Sequence, residues 1–455
     1  MKFAVINGSP KGEYSITLQS IKYLSIRYPT HSFEIINANA IIHAKEEKLA
    51  QIKEQIEGAD ALLFSYPVYT FIAPSQLHRS IEIFKEQNFQ LNGKVATQIS
   101  TSKHFYDITA HKYVEENIYD LGMNYVRGLS ADMEDLLTKK GQEDLEKFFE
   151  HFLFATEHNL FHRKAKEQGI KVSLPISLPD AVEKIETTLD TSVLDIVLVT
   201  DCTEEGSNLG KMIRYFQSVA PFSVRVENIA EYPLKGGCLG CFRCAVSGKC
   251  VYNDGFDTYL REKIQKADAT IYAFTVRDHS MGSRFKMFDD RQFCNGHRTV
   301  TTGMPVGYLV EGDLESEENL RTIMEARAEV GGNPLCGIAT DEGHTKESIE
   351  RLVQELLYAL ENKYTTPTNF YGIGGMKIFR DLIYQMRGMM RADHKFYKKR
   401  GIYDFPQKKW HVSLKMYLVG ALLSNEKILK KIGNKMNDGM LLPYNKFLSK
   451  VKPKN

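Results

Sequence analysis

The chain has 455 residues, 43% of them hydrophobic and 25% charged, with a formal net charge of +2. Two to three domains of ordinary soluble protein fit that length and composition. The near-neutral balance gives no reason to expect a nucleic-acid partner. The longest apolar run near the C-terminus, "MYLVGALL", falls far short of the ~20 residues of a membrane span.

"KFAVING" is a short apolar run ending in a glycine turn, with no cleavage-site signature before it, so a cytoplasmic protein is expected. A helix follows from Ser15 to Arg27, then a strand "SFEIINA", a helix "AKEEKLAQIKEQIEG" and a buried strand "ALLFSYP" stopping at Pro67. "PSQLHRSIEIFKEQ" reads as helix, "GKVATQIST" as strand, 111–121 as helix and "MNYVRGLS" as strand. "GQEDLEKFFEHFLFATEHNLFHRKAKEQ" closes this part as a long amphipathic helix. Strict strand–helix alternation predicts a doubly wound parallel sheet over residues 1–170.

Residues 171–192, with Pro175 and Pro179, read as a linker. The pattern then restarts over 193–365. Strands are expected at "LDIVLVTD", "SVRVENI", "ATIYAFTV", "MPVGYLVEG" and "PLCGIATDEG", and helices at "LGKMIRYFQSV", "FDTYLREKIQKAD", 315–330 and 345–363. The fold class is therefore α/β, a tandem pair of five-stranded parallel sheets repeating at about 190 residues. From 366 to 455 the chain has nineteen Lys or Arg against five Asp or Glu. Stretches such as "KIFRDLIYQMRGMMR" and "NEKILKKIGNKM" make this a basic helical extension. It either docks on the acidic remainder of its own chain or meets a membrane surface or acidic partner.

"NGSPKGEYSIT" (7–17) joins the first strand to the first helix. It is neither G-x-G-x-x-G nor a Walker A sequence. Its small residues, the hydroxyls of Ser9, Ser15 and Thr17, and a helix N-terminus nonetheless suit a phosphate group. A tight turn with Ser15 as a helix cap is the alternative. This loop resembles the "GSPR…SNT" phosphate loop of the NADPH-dependent FMN reductase family, and "SYPVYTFIAPSQLHRSIE" (65–82) resembles that family's "SPVY…mPaqLK…iDR" segment. The resemblance implies a flavodoxin-like fold with Ser9, Lys11, Ser15 and Thr17 around an FMN phosphate. It further implies Pro67, Val68, Tyr69 and Thr70 along the isoalloxazine ring, and Ser100, Thr101 and Ser102 of "STSKH" as a third ligand loop. Ile16 departs from the family's usual Asn.

Four of the seven cysteines, Cys238, Cys241, Cys244 and Cys250, crowd into "CLGCFRCAVSGKC". A reducing compartment disfavours disulfides there. The compact C-x2-C-x2-C-x5-C spacing favours a wrapped [4Fe–4S] cluster over zinc, which joins C-x-x-C pairs across longer loops; metal-free thiols are the further alternative. Cys202, Cys294 and Cys336 fit no spacing and read as buried small hydrophobes. With "SMGSRFKMFDDR", a loop ending in Lys-x-x-x-Asp-Arg, most of 193–363 resembles the family's iron–sulfur flavoprotein branch. That branch sets a cluster on one subunit near FMN on another, a pairing a tandem chain could build within itself.

The strand-end loop of the second half, "TDCTEEGSN", puts Asp201, Glu204 and Glu205 where a phosphate would sit. FMN is therefore expected in the first half and the cluster in the second, with a second FMN left open. Asp393 and His394 invite an acid/base reading, but lone Asp-His pairs are common on helices and carry no such role by themselves. His279, in the loop after the third strand of the second half, lies nearer a possible ligand site but is likewise not assigned one, and "GIGG" (372–375) is read as a flexible helix entry. The resemblance implies an FMN-dependent oxidoreductase using NAD(P)H as co-substrate and a small-molecule or protein redox acceptor. A non-enzymatic electron-transfer module docking through the basic region, or a scaffold without cofactors, is the alternative. A homo-oligomer stays open.

Overall fold

Each apolar run bounded by turn residues forms a strand, and the strands assemble in parallel. The computed structural model describes residues 1–161, 174–179, 183–428, 441 and 444–451. In the first half the elements run β1 (Lys2–Asn7), α1 (Ile16–Arg27), β2 (Ser32–Asn37), α2 (Ala38–Ile42), α3 (Glu46–Glu57), β3 (Ala61–Pro67), α4 (Ser75–Glu86), β4 (Val95–Ser102), α5 (Asp107–Asp120), β5 (Asn124–Tyr125), β6 (Leu129–Asp132) and α6 (Lys139–Glu157). The sheet order is β2-β1-β3-β4-β5, all parallel, with β6 also on β4. The expected fifth strand is thus two short pieces. The short helix α2 was not expected. α6 ends at Glu157, and the expected continuation from 162 lies outside the described residues, as do 171–173 and 180–182 of the linker.

The second half runs β7 (Ile196–Thr200), α7 (Asn208–Val219), β8 (Val224–Asn228), α8 (Arg243–Ser247), α9 (Phe256–Tyr259), β9 (Ala269–Thr275), α10 (Gly282–Arg291), β10 (Val306–Glu311), α11 (Glu318–Gly331), β11 (Leu335–Thr340) and α12 (Thr345–Asn362). α9 runs on into a π-helical turn, Leu260–Ile264. The order β8-β7-β9-β10-β11 repeats that of the first sheet. Both are the flavodoxin-like 2-1-3-4-5 order, which gathers ligand-binding loops at the carboxyl ends of the strands. The segment expected as a loop before Asp290 and Arg291 is instead the helix α10.

The halves share buried surface. Ile323, Ala326 and Val330 of α11 belong to the same apolar cluster as Phe64, Phe84 and Phe105 of the first half. α4 and α10, the helices after the third strand of each sheet, exchange caps. Glu82 of α4 accepts from the backbone N–H and hydroxyl of Ser283, both at 2.6 Å. Asp290 of α10 accepts from the Ser75 N–H at 2.9 Å and the Thr70 hydroxyl at 2.8 Å. Each carboxylate meets the positive end of the opposite helix. The exchange is reciprocal, as across a two-fold axis.

Beyond the second sheet come α13 (Phe370–Gln385), α14 (Arg391–Lys399) and α15 (Trp410–Leu423). "GIGG" lies inside α13, not at a loose entry; Gly372 and Gly375 are buried, close to Glu329 and Val330 of α11. Met1–Tyr397 forms one compact unit holding both sheets, and Lys398–Asn455 forms another. Residues 429–436 of the expected helix near the C-terminus lie outside the described residues. Among the described residues no helix is long and apolar enough to cross a membrane.

Candidate functional site

β1 ends at Asn7, whose amide donates to Gly12 O at 3.1 Å and Asn37 Oδ1 at 2.7 Å, fixing the loop that follows. Ser15 caps α1 through the Leu18 N–H at 3.3 Å, so its hydroxyl has a structural task at the helix N-terminus. The Thr17 and Thr101 hydroxyls are 2.6 Å apart, tying this loop to the end of β4. Ser9, Lys11, Ser15, Thr17, Pro67, Val68, Tyr69, Thr70, Thr101 and Ser102 all line one cavity of about 170 Å³. Ser100 does not. It is fully buried, and its hydroxyl lies 2.8 Å from Nε2 of His111, a histidine that burial lowers to about 4.

The opposite wall of that cavity is the cysteine loop of the second half. Cys238, Cys241, Cys244 and Cys250 line it, together with Leu239, Gly240 and Phe242. Among the described residues, ligand atoms of three or more His, Cys, Asp or Glu come within 4.8 Å of one another only at Glu116, His279 and Glu317. The four sulfurs therefore border a shared space without converging on a point, as they would around one tetrahedral ion with Zn–S bonds of about 2.3 Å. Burial raises the Cys238 thiol, and the Cys244 thiol to about 11. The Gly240 N–H donates to Cys238 Sγ at 3.4 Å. Cys294 is buried as expected, yet it also reaches this wall.

The two walls touch. Gly240 has φ +59°, and a Cβ there would stand 1.9 Å from Tyr69 Oη and 3.4 Å from Lys11 Cε. Only a residue without a side chain lets the loop pass this close. Lys11 Nζ stands 5.8 Å from the Phe242 ring centre, within cation–π range. Burial lowers the Lys11 pKa, against the raising effect of Cys241 and Cys238.

The Lys-x-x-x-Asp-Arg residues hold both walls from α10. The side chain of Lys286, completely buried, donates to Tyr69 O at 3.1 Å and Thr70 Oγ1 at 3.3 Å and pairs with Asp290. This fastens a turn in which Thr70 and Phe71 both have positive φ, 47° and 72°. Non-glycine residues adopt that conformation only where the surroundings impose it. Arg291 grips the other wall. It donates to Gly236 O at 3.0 Å, makes two 2.8 Å bonds to Asp254, and lies 4.2 Å from the Tyr252 ring centre. Burial opposes ionisation of Asp254, but the Arg291 hydrogen bonds prevail and hold its carboxyl at about 2.

The corresponding end of the second sheet is occupied by carboxylates. Glu311 accepts from the Asn208 N–H at 3.2 Å and Asp341 from its side-chain amide at 2.7 Å. Asp201 is raised to about 6 by burial, with Arg277 acting against it.

Residues 1–134 match the profile of the family described as NADPH-dependent FMN reductase. An iron–sulfur flavoprotein of Archaeoglobus fulgidus is 29% identical over 175 residues, spanning 36% of this chain and 78% of its own length. Another from Clostridioides difficile is 22% identical over 169 residues, spanning 34% and 75%. Among solved structures, an FMN-dependent NADH-azoreductase from Bacillus anthracis in complex with FMN is similar with a TM-score of 0.26, at 16% identity over 33% of this chain and 98% of that one.

Proposed function

We propose that this chain, whose first 134 residues match the NADPH-dependent FMN reductase family, is an FMN-dependent oxidoreductase that takes electrons from NAD(P)H. In this reading the loops of the first half hold FMN and Cys238, Cys241, Cys244 and Cys250 hold a [4Fe–4S] cluster. One observation carries it: ten of the residues expected around FMN and all four clustered cysteines line a single cavity. The donor chemistry fits both groups. Hydroxyls, a lysine and a helix N-terminus suit a phosphate, and four thiols spread around a common space suit a cluster larger than one ion. When bound, FMN supplies exchange between two-electron and one-electron transfer, and the cluster a one-electron relay.

The chain's own contribution is binding, orientation and exclusion of water. Ser9, Lys11, Ser15 and Thr17 bind the phosphate. The turn at Tyr69 and Thr70, fastened by Lys286 and Asp290, orients the ring. Arg291 and Gly240 bring the cysteine loop against it, so both redox groups sit in one chain. The carboxylates at the end of the second sheet support a single FMN, because each would repel a bound phosphate.

Anaerobically purified protein should absorb at about 375 and 450 nm, as isoalloxazine does, and contain iron and sulfide. NAD(P)H should bleach the flavin promptly. Cys241→Ser should lose iron while keeping flavin. Colourless protein that binds no added FMN overturns the reading, and coloured protein inert to NAD(P)H points to a passive electron carrier.

A further inference from the structure

His297 borders the 170 Å³ cavity and also a second one of about 150 Å³ that shares Thr70, Phe105, Phe293 and Phe379 with it. Its Nδ1 lies 2.9 Å from Asp393 Oδ2, which also accepts the His297 backbone N–H at 3.1 Å. Asp393 is completely buried, and Arg298 Nε stands 3.8 Å from its other oxygen. Tyr397, one turn further along α14, donates its hydroxyl to His297 O at 3.0 Å. Position 296 must be glycine for this approach: its φ is +62°, and a Cβ would fall 2.4 Å from Asp393 Oδ1. Phe379 meets the imidazole edge-on at 4.9 Å between centres, and Phe242 of the cysteine loop lies at 6.5 Å. With Nδ1 and the main chain engaged, Nε2 is the polar atom of this residue left to meet a ligand. A buried carboxylate on Nδ1 fixes the tautomer and the ring orientation, as in other carboxylate–imidazole pairs.

We propose that His297 is the general acid of the acceptor half-reaction, with Asp393 as its positioning residue. The acceptor is an organic compound whose reduction creates an O–H or N–H bond. The inference rests on the oxidoreductase reading above. A hydride equivalent originating from NAD(P)H enters the acceptor, its C=O or C=N π bond opens, and the electron pair moves to the heteroatom. That atom takes the proton from Nε2 as the Nε2–H bond breaks. NAD(P)H becomes NAD(P)⁺, and solvent returns a proton to His297. The C-terminal segment thereby contributes to the chemistry through Asp393, which lies beyond both sheets in sequence.

The test compares two acceptors in the full chain with its cofactors: menadione, which takes up protons, and ferricyanide, which takes electrons alone. His297→Gln should lower the ratio of menadione to ferricyanide turnover by about 100-fold, the usual worth of a general acid. Asp393→Asn should lower it at least about ten-fold, since a misplaced tautomer disables the pair. A purely structural loss would lower both rates together and leave the ratio unmoved, which would overturn the proposal. A second readout is independent of turnover. Diethyl pyrocarbonate, which acylates an unprotonated ring nitrogen, should modify His297 at alkaline pH, identified by peptide mass spectrometry, and menadione should protect it. An unreactive His297, or one that menadione does not protect, also overturns the proposal. Wild-type protein that reduces neither acceptor refutes the oxidoreductase reading itself, while the modification result still judges His297.

Discussion

Gly240 lets the cysteine loop pass against Tyr69 of the first half, and its replacement tests that contact. Gly240→Ala should cost about 1–2 kcal/mol for a side chain held at positive φ, plus displacement of Tyr69, whose hydroxyl occupies the space of the new methyl. Denaturant unfolding should show the loss. Tyr69→Phe in the Gly240→Ala background should recover part of it, because it removes the clashing oxygen; no recovery would place the strain elsewhere. Individual residues were unevenly legible. The cysteine spacing and the small-residue loop announce their chemistry, because ligand loops are local in sequence. Ser100 is misleading: it shares a hydroxyl-rich run with Thr101 and Ser102, but it sits further from the carboxyl end of β4, where its hydroxyl meets His111 instead of the cavity. Asp393 is opaque, since its partner is 96 residues away.

Among the elements, α10 departs furthest from its local sequence pattern. Its sequence "GSRFKMFDDR" reads as polar loop, yet Lys286, Asp289, Asp290 and Arg291 are all buried. The hydrophobic pattern fails because this helix buries charges whose partners lie on the helix itself, on Arg327 and Asp254 of the second half, and on polar groups of Tyr69, Thr70 and Ser75 in the first, and partners supplied by another element leave no periodic trace. Asp290→Ala would remove the cap of α4 and take from the buried Lys286 its nearer carboxylate, leaving Asp289 at 3.6 Å. It should destabilise by about 3–5 kcal/mol, the scale of breaking one side of a buried ion pair. Glu82→Ala removes the reciprocal cap of α10 and should cost about 1–2 kcal/mol. Thermal unfolding should rank the two in that order; equal small effects would mean the exchanged caps contribute little.

Across the whole molecule, the boundary between halves also carries a charged network. His279 lies 3.0 Å from Asp120 of the first half and 2.8 Å from Glu317. Burial opposes its charge, but the hydrogen bonds to Asp120 and Glu317 override it and raise its pKa to about 10. A folded pKa above the unfolded value near 6.5 gives stability that is fully present below pH 6.5 and is lost as pH rises through about 10. Glu116 beside it, raised to about 7 by burial, adds a loss of the same sign on deprotonation. The stability difference between wild type and His279→Gln should therefore shrink from pH 6.5 to pH 10 in denaturant titrations; a constant difference would show that the histidine acts by packing alone. Local patterns along the chain were enough to specify the two α/β units, most strand and helix positions, and the residue types of the loops around the cavity. Periodicity and ligand-loop spacing are local properties, and each half repeats them. Packing between distant segments is what sets the loops of one half against the cysteines of the other, has α10 fasten both walls, and brings Asp393 to His297. Those arrangements rest on contacts between residues tens to hundreds of positions apart, whose pairing no local pattern encodes.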